Sequence, residues 1–186
     1  MAARILCLIV LLLEIRALTL TRVEGKWWYL AVFYTQISNL LGTLSSALLV
    51  LFGQPEWVTC LRYLSVCMLV MTFFVTACIL VPMGGNAKVL LWSGSGLYHH
   101  VLCPLLSTLS YLFLERHARV SLLWLPVAVT LAYGITMLCL NGARLVDGPY
   151  PFFRVHDQTA ARTAWWILAL MVLITALSAL VLLAAR

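Results

Sequence analysis

Two stretches of this chain, Leu64 to Val81 and Ile167 to Ala185, run without a single charged side chain. Each is close to the roughly 20 apolar residues that a helix needs to cross a bilayer. In hydrocarbon every backbone N–H and C=O needs an internal partner, so spanning segments are helices or closed barrels. Barrel strands alternate apolar and polar residues over about ten positions, and these runs do not alternate. Composition extends the argument to the whole chain. Of 186 residues, 64% are hydrophobic and 10% are charged, against about half and about a quarter in soluble domains. A soluble fold of this size has too small an interior to hide that much apolar surface. The sequence therefore predicts an all-α, polytopic transmembrane bundle.

Six apolar segments are expected, at about 4–22, 30–52, 61–82, 91–114, 120–141 and 163–185. Together they form a single transmembrane domain over 1–186. Polar or Gly/Pro punctuation separates them: Arg22 to Lys26, Gly53-Gln54-Pro55-Glu56, Pro82 to Lys88, Glu115-Arg116-His117, and Asn141 to Arg162. The first segment also has the charge-then-apolar opening of a signal peptide, but Glu14 and Arg16 interrupt it and no small-x-small cleavage site follows. The net charge of +6 is read as anchoring and orientation. No basic stripe with interleaved aromatics points to nucleic acid. A cytoplasmic N-terminus would place Arg4, Arg62, Arg116, Arg119 and Arg186 inside. Arg22, Lys26, Lys88, Arg144, Arg154 and Arg162 would then lie outside, so the positive-inside rule does not choose an orientation. The six cysteines include no CxxC pair, and neither a metal site nor a cofactor is expected.

The informative residues are the polar ones that lipid should exclude. In the second segment Thr35, Ser38, Asn39, Gly42, Thr43 and Ser46 recur at i, i+3, i+4, i+7, i+8 and i+11, one face of a helix. In the fourth, Ser93, Gly96, His100, Cys103 and Ser107 form a second stripe, with His99 rotated about 100° away. Ser65, Thr72 and Thr76 mark the third segment, and Thr130, Gly134 and Asn141 the fifth. Small and hydroxylated residues also let helices pack closely, so a single Ser or Thr carries little. Ionisable residues inside spans are rare and suggest a site. The second and fourth segments run the same way through the membrane. From their positions in those segments, Thr35 and His100 differ in depth by about 6 Å at 1.5 Å per residue. Glu14 is expected to face the bundle and Arg16 to snorkel to an interface.

Certain motifs carry a resemblance. Phe33-Tyr34-Thr35-Gln36-Ile37-Ser38-Asn39-Leu40-Leu41 resembles the start of the second span in the androgen-induced family of intramembrane threonine hydrolases. Tyr98-His99-His100-Val101-Leu102-Cys103-Pro104 resembles that family's histidine-to-proline motif. Gly148-Pro149-Tyr150-Pro151-Phe152-Phe153 resembles the final loop of its bacterial integral membrane relatives. The resemblance implies cytosolic termini, a bacterial inner membrane, and hydrolysis of fatty acid esters of hydroxy fatty acids. It implies Thr35 as nucleophile and a histidine as base. The bacterial spacing gives His100 and the eukaryotic spacing His99; the polar stripe favours His100.

The chemistry needs a hydroxyl activated by a base within about 3 Å. Asn39 or Ser38, one turn along, are candidate oxyanion donors, and His99 is a candidate supporting residue. The partners expected are membrane lipid and a fatty-acyl ester substrate. Two other readings use the same polar stripes: a small transporter or channel, which broken helices would favour, and a binding or scaffold protein without chemistry.

Overall fold

The computed structural model describes residues 1–21 and 27–185. Every regular element among them is helical. Six long helices carry the fold: α1 Ala2–Leu20, α2 Tyr34–Phe52, α3 Glu56–Leu80, α4 Gly94–Leu114, α5 Trp124–Gly142 and α6 Ala160–Ala184. Among the described residues α2 to α6 are the five helices long and apolar enough to cross a membrane. Their length and composition are those of an integral membrane protein. In α1, 19 residues include Arg4, Glu14 and Arg16, and this charge sets it apart from the other five. The break at Arg22 to Lys26 lies outside the described residues.

Helix α3 is the axis of the bundle. Of its apolar window 56% is buried, against 22–33% in the other four spans. It packs against α2, α4, α5 and α6, while α1 packs on α2 and α4. Gly42 lets α2 approach closely, since a Cβ there would sit 2.9 Å from Leu69 Cδ1. The outer faces keep large apolar side chains such as Leu40, Leu51, Phe113, Leu168 and Leu180 exposed, as expected where the solvent is lipid.

Two departures from the sequence reading matter for function. First, the fourth segment is not one smooth α-helix from 91 to 114. Lys88–Trp92 forms a π-helical turn, the backbone breaks at Ser93 (φ −146°, ψ 158°), and α4 then begins at Gly94. Within α4, Tyr98–Leu102 is a second π-helical turn. Second, the third helix starts at Glu56 rather than near 61. This shift carries Arg62 off the membrane edge and into the bundle, where it is 0% exposed.

Arg62 is satisfied there by a complete set of acceptors. Its Nε and Nη2 donate to Glu115 Oε2 and Oε1 at 2.9 and 2.8 Å. Its Nη1 donates to Ser46 Oγ at 2.9 Å and Ser45 Oγ at 3.3 Å, and Ser110 Oγ donates to Glu115 at 2.6 Å. Glu115, read from sequence as part of a loop break, instead folds back under the end of α4. A planar guanidinium and a carboxylate meet two-to-two, the strongest geometry available to such a pair. Breaking a buried pair from one side leaves an uncompensated charge and costs about 3–5 kcal/mol. Arg62→Met should therefore lower stability in SDS titrations of detergent-solubilised protein by about that amount. Adding Glu115→Met should recover most of the loss. A single variant as stable as the native chain would show that the pair does not hold this end together.

Candidate functional site

The site forms where α2 begins. The first N–H groups of any helix lack intrahelical partners, and Phe33, the residue before α2, makes no side-chain cap. Two phenols from elsewhere in the chain supply the missing acceptors. Tyr34 N–H donates to Tyr133 Oη at 3.1 Å, and Thr35 N–H donates to Tyr150 Oη at 3.3 Å. Tyr133 in turn donates to the Val32 carbonyl at 2.7 Å. The start of α2 is thereby tied to α5 and to the loop over 143–159. That loop is ordered by Asn141, whose amide donates to the Val146 carbonyl at 3.0 Å and accepts from Val155 N–H at 2.9 Å. Tyr150 and Phe152 stack with ring centroids 5.1 Å apart, which holds the phenol over Thr35.

Thr35 Oγ1 lies 3.4 Å from His100 Nε2 and 3.4 Å from Tyr150 Oη. The state of the imidazole follows from its other nitrogen. His100 Nδ1 is 2.7 Å from the Leu90 carbonyl oxygen. A carbonyl can only accept, so Nδ1 carries the proton, and the neutral form of the ring presents its Nε2 lone pair to Thr35. The 3.4 Å separation is longer than the 2.6–3.2 Å of proton transfer, as is common in unliganded sites that tighten on substrate. Burial pushes the Tyr150 phenol above its ordinary titration range, against the pull of its bonds to Thr35. It therefore keeps its O–H at neutral pH.

The break at Ser93 explains how a carbonyl reaches His100. The turn over Lys88–Trp92 folds back against the first turn of α4, and Ser93 Oγ fastens it by donating to the Lys88 carbonyl at 2.9 Å. Gly96 makes the contact feasible, because a Cβ there would sit 2.8 Å from Leu90 O. π-Helical turns inside α-helices are rare and frequent at functional sites. Here the turn over Tyr98–Leu102 aims His99 and His100 at different neighbours. His99, 2% exposed, faces α1. Its Nδ1 lies 3.3 Å from Glu14 Oε2, without hydrogen-bond alignment, and its Nε2 lies 3.3 Å from Thr21 Oγ1.

Asn39 and Ser38, the sequence candidates for the oxyanion, have their donors engaged elsewhere. Asn39 Nδ2 donates to the Thr35 carbonyl at 2.8 Å and the His99 carbonyl at 3.1 Å. Ser38 Oγ lies 3.0 Å from the Thr35 carbonyl, to which it donates, and 2.8 Å from Thr72 Oγ1. Asn39 thus straddles the main chains of both helices that carry the pair. Tyr150 and Tyr133 escaped the sequence reading as site residues. The aromatic Gly148-to-Phe153 motif was their one signal, and it covers Tyr150 alone.

Two openings meet at Thr35. On one side lies an apolar slot with an empty volume of about 670 Å³, its mouth included, walled by Met71, Val75, Leu138, Phe153 and Met171. Leu131 and Ile135 also line it and are themselves exposed, so the slot opens sideways between helices towards lipid. On the other side lies a more open hollow shared by Gln36, Gly84, His100 and Pro149. Thr35, Leu80 and Tyr150 line both.

Gly96→Ala should displace the Leu90 carbonyl and release the His100 ring while leaving Thr35 in place. A misplacement of about 1 Å can cost about 10²-fold in rate. We expect a loss of that order in any turnover that uses the pair, with an unchanged unfolding midpoint in detergent. Equal loss of stability and rate would mean that Gly96 serves packing alone. Compared with known families, characterised proteins and solved structures, the chain finds no match.

Proposed function

We propose that this protein is an intramembrane hydrolase of fatty-acyl esters, with Thr35 as nucleophile and His100 as general base. One observation carries the reading: an imidazole whose tautomer is fixed by Leu90 turns its lone pair to a hydroxyl where an apolar slot meets an open hollow. In this scheme the acyl chain enters the slot from the bilayer and its carbonyl carbon comes to rest beside Thr35 Oγ1. His100 Nε2 takes the hydroxyl proton as Oγ1 attacks, giving a tetrahedral oxyanion. Tyr150 O–H, adjacent to Oγ1, supplies the hydrogen bond to that oxygen, helped by the positive end of α2. Collapse expels the alcohol, which takes the proton from His100. Water from the hollow, deprotonated by His100, then attacks the acyl-threonine; the acyl–Oγ1 bond breaks, Thr35 Oγ1 takes the proton back from His100, and the fatty acid leaves. The step needs no metal or cofactor.

The same proposal places α1 as a sixth span, with both termini on the cytoplasmic face of a bacterial inner membrane. The support for α1 is its packing along α2 and α4 and the burial of Glu14, at 2% exposed, against His99. The support for the substrate and membrane is the resemblance of the Thr35, His100 and Tyr150 segments to the intramembrane threonine hydrolases. The break at Ser93 is the feature that favours the transport reading instead, since broken helices build transporter sites.

A fluorophosphonate probe should label the purified protein at Thr35, and ester cleavage should fall by about 10³-fold or more in Thr35→Ala. His100→Ala should match it, whereas Tyr150→Phe, which loses one oxyanion donor, should cost about 10²-fold. A Thr35→Ala variant that transports or hydrolyses like the native chain would end this reading.

A further inference from the structure

The opposite end of the bundle carries charges that the site does not use. Its carboxylates are spoken for. Glu115 is paired with Arg62 at 2.8 Å inside the bundle, and Glu56 with Arg119 at 3.1 Å outside it. Arg4 at the start of α1 and Arg116 just beyond α4 are both exposed. Among the described residues neither guanidinium has an ion-pair or hydrogen-bond partner. Yet both line one hollow, together with Leu49, Phe52, Gly53, Gln54 and Pro55, and no acidic residue lines it. The chain on either side is fixed: Arg116 N–H donates to the Gln54 side chain. Gly53 closes α2 at φ +77°, and a Cβ there would sit 3.1 Å from Arg4 Nη2.

The carbonyl end of α2 favours one cation nearby. That accounts for part of Arg4 and none of Arg116. Two uncompensated guanidiniums facing one hollow call for an anion, and the guanidinium fork suits phosphate oxygens. The apolar wall says what the anion is attached to. Phe52, 61% exposed, stands at the rim of the hollow, and its neighbour Leu51 is 70% exposed. An acyl chain leaving the hollow would run straight onto this lipid-facing side of α2.

We propose that Arg4 and Arg116 hold the phosphate of an anionic membrane lipid, with its acyl chain against Phe52. The site is independent of Thr35 and His100 and lies at the other end of the bundle. Free inorganic phosphate offers the same head chemistry without the chain, so the test separates the two sources.

The full-length protein in neutral detergent would be heated with dioleoyl phosphatidylglycerol, dioleoyl phosphatidylcholine, or inorganic phosphate. The phosphatidylglycerol alone should raise the unfolding midpoint. Its half-saturating concentration should rise at least tenfold in Arg4→Gln/Arg116→Gln and stay within twofold in Arg119→Gln, which removes one charge from a paired site at the same end. Equal stabilisation by phosphatidylcholine would overturn the proposal. So would equal stabilisation by phosphate alone, or a matching loss in Arg119→Gln. If the double variant does not fold, native mass spectrometry of the unaltered protein decides. Preferential retention of phosphatidylglycerol over phosphatidylcholine by fivefold or more supports the site, and equal retention removes it.

Discussion

Hydrocarbon offers no hydrogen bonds, so each polar group carried into it must find its partner inside the bundle. That constraint organises this chain into two polar layers separated by apolar packing around α3. At one end Arg62, Glu115 and four serines of α2 and α4 form a closed set in which every guanidinium nitrogen has an acceptor. At the other end the polar groups of α2 and α4 leave one hydroxyl facing an imidazole and two openings. In the first arrangement the ionic groups satisfy one another, and the second leaves a lone pair directed at a hydroxyl beside two openings. On the proposed reading this difference separates a structural end from a chemical one.

The start of α2 shows how a folding requirement becomes a site. Its unpaired N–H groups need acceptors, and phenols from α5 and the 143–159 loop provide them. Capping thereby brings three otherwise distant segments to Thr35. The same Tyr150 oxygen that accepts from the helix start sits 3.4 Å from the Thr35 hydroxyl. A residue recruited for stability therefore stands where the proposed hydrolysis would need an oxyanion donor.

Much of this was legible in the residues, and the reasons for the misses are physical. The membrane class, the all-helical architecture and the inward stripe of α2 follow from run length and a period of 3.6. Glu14 was expected inside and is inside. The separate aims of His99 and His100 were not fully legible, because a helical wheel assumes an unbroken α-helix and the π-helical turn over Tyr98–Leu102 changes the register. The break at Ser93 was missed although Ser93-Gly94-Ser95-Gly96 is the kind of Ser/Gly run that marks a turn, with Gly94 at φ +56°, because its purpose lies seven residues away at the His100 ring. Arg62 and Glu115 read as edge charges because sequence alone does not reveal that two such groups can sink together. Tyr133 and Tyr150 act across about a hundred residues of chain, where periodicity carries no information.

The depth of the pair fits hydrolysis better than it fits passage. Ester cleavage inside a membrane needs acyl chains from the bilayer and water from outside it, and these solvents coexist only near an interface. Thr35 lies in the first turn of α2 and His100 in the second turn of α4, both close to one end of the bundle. The apolar slot reaches down from them among α3, α5 and α6, and the open hollow spreads above them under the Pro149-to-Pro151 segment. A transport path would continue its polar lining through the bundle. Below Thr35 the slot is lined by Met71, Val75, Leu138, Leu170 and Met171 together with Thr72, Thr76 and Thr130, and the hydroxyls of Thr72 and Thr130 are bonded to Ser38 and Tyr34. A chain of methylenes can lie along such a wall, whereas a hydrated ion or polar solute would have to shed its water there for a few threonine hydroxyls, most of them already bonded.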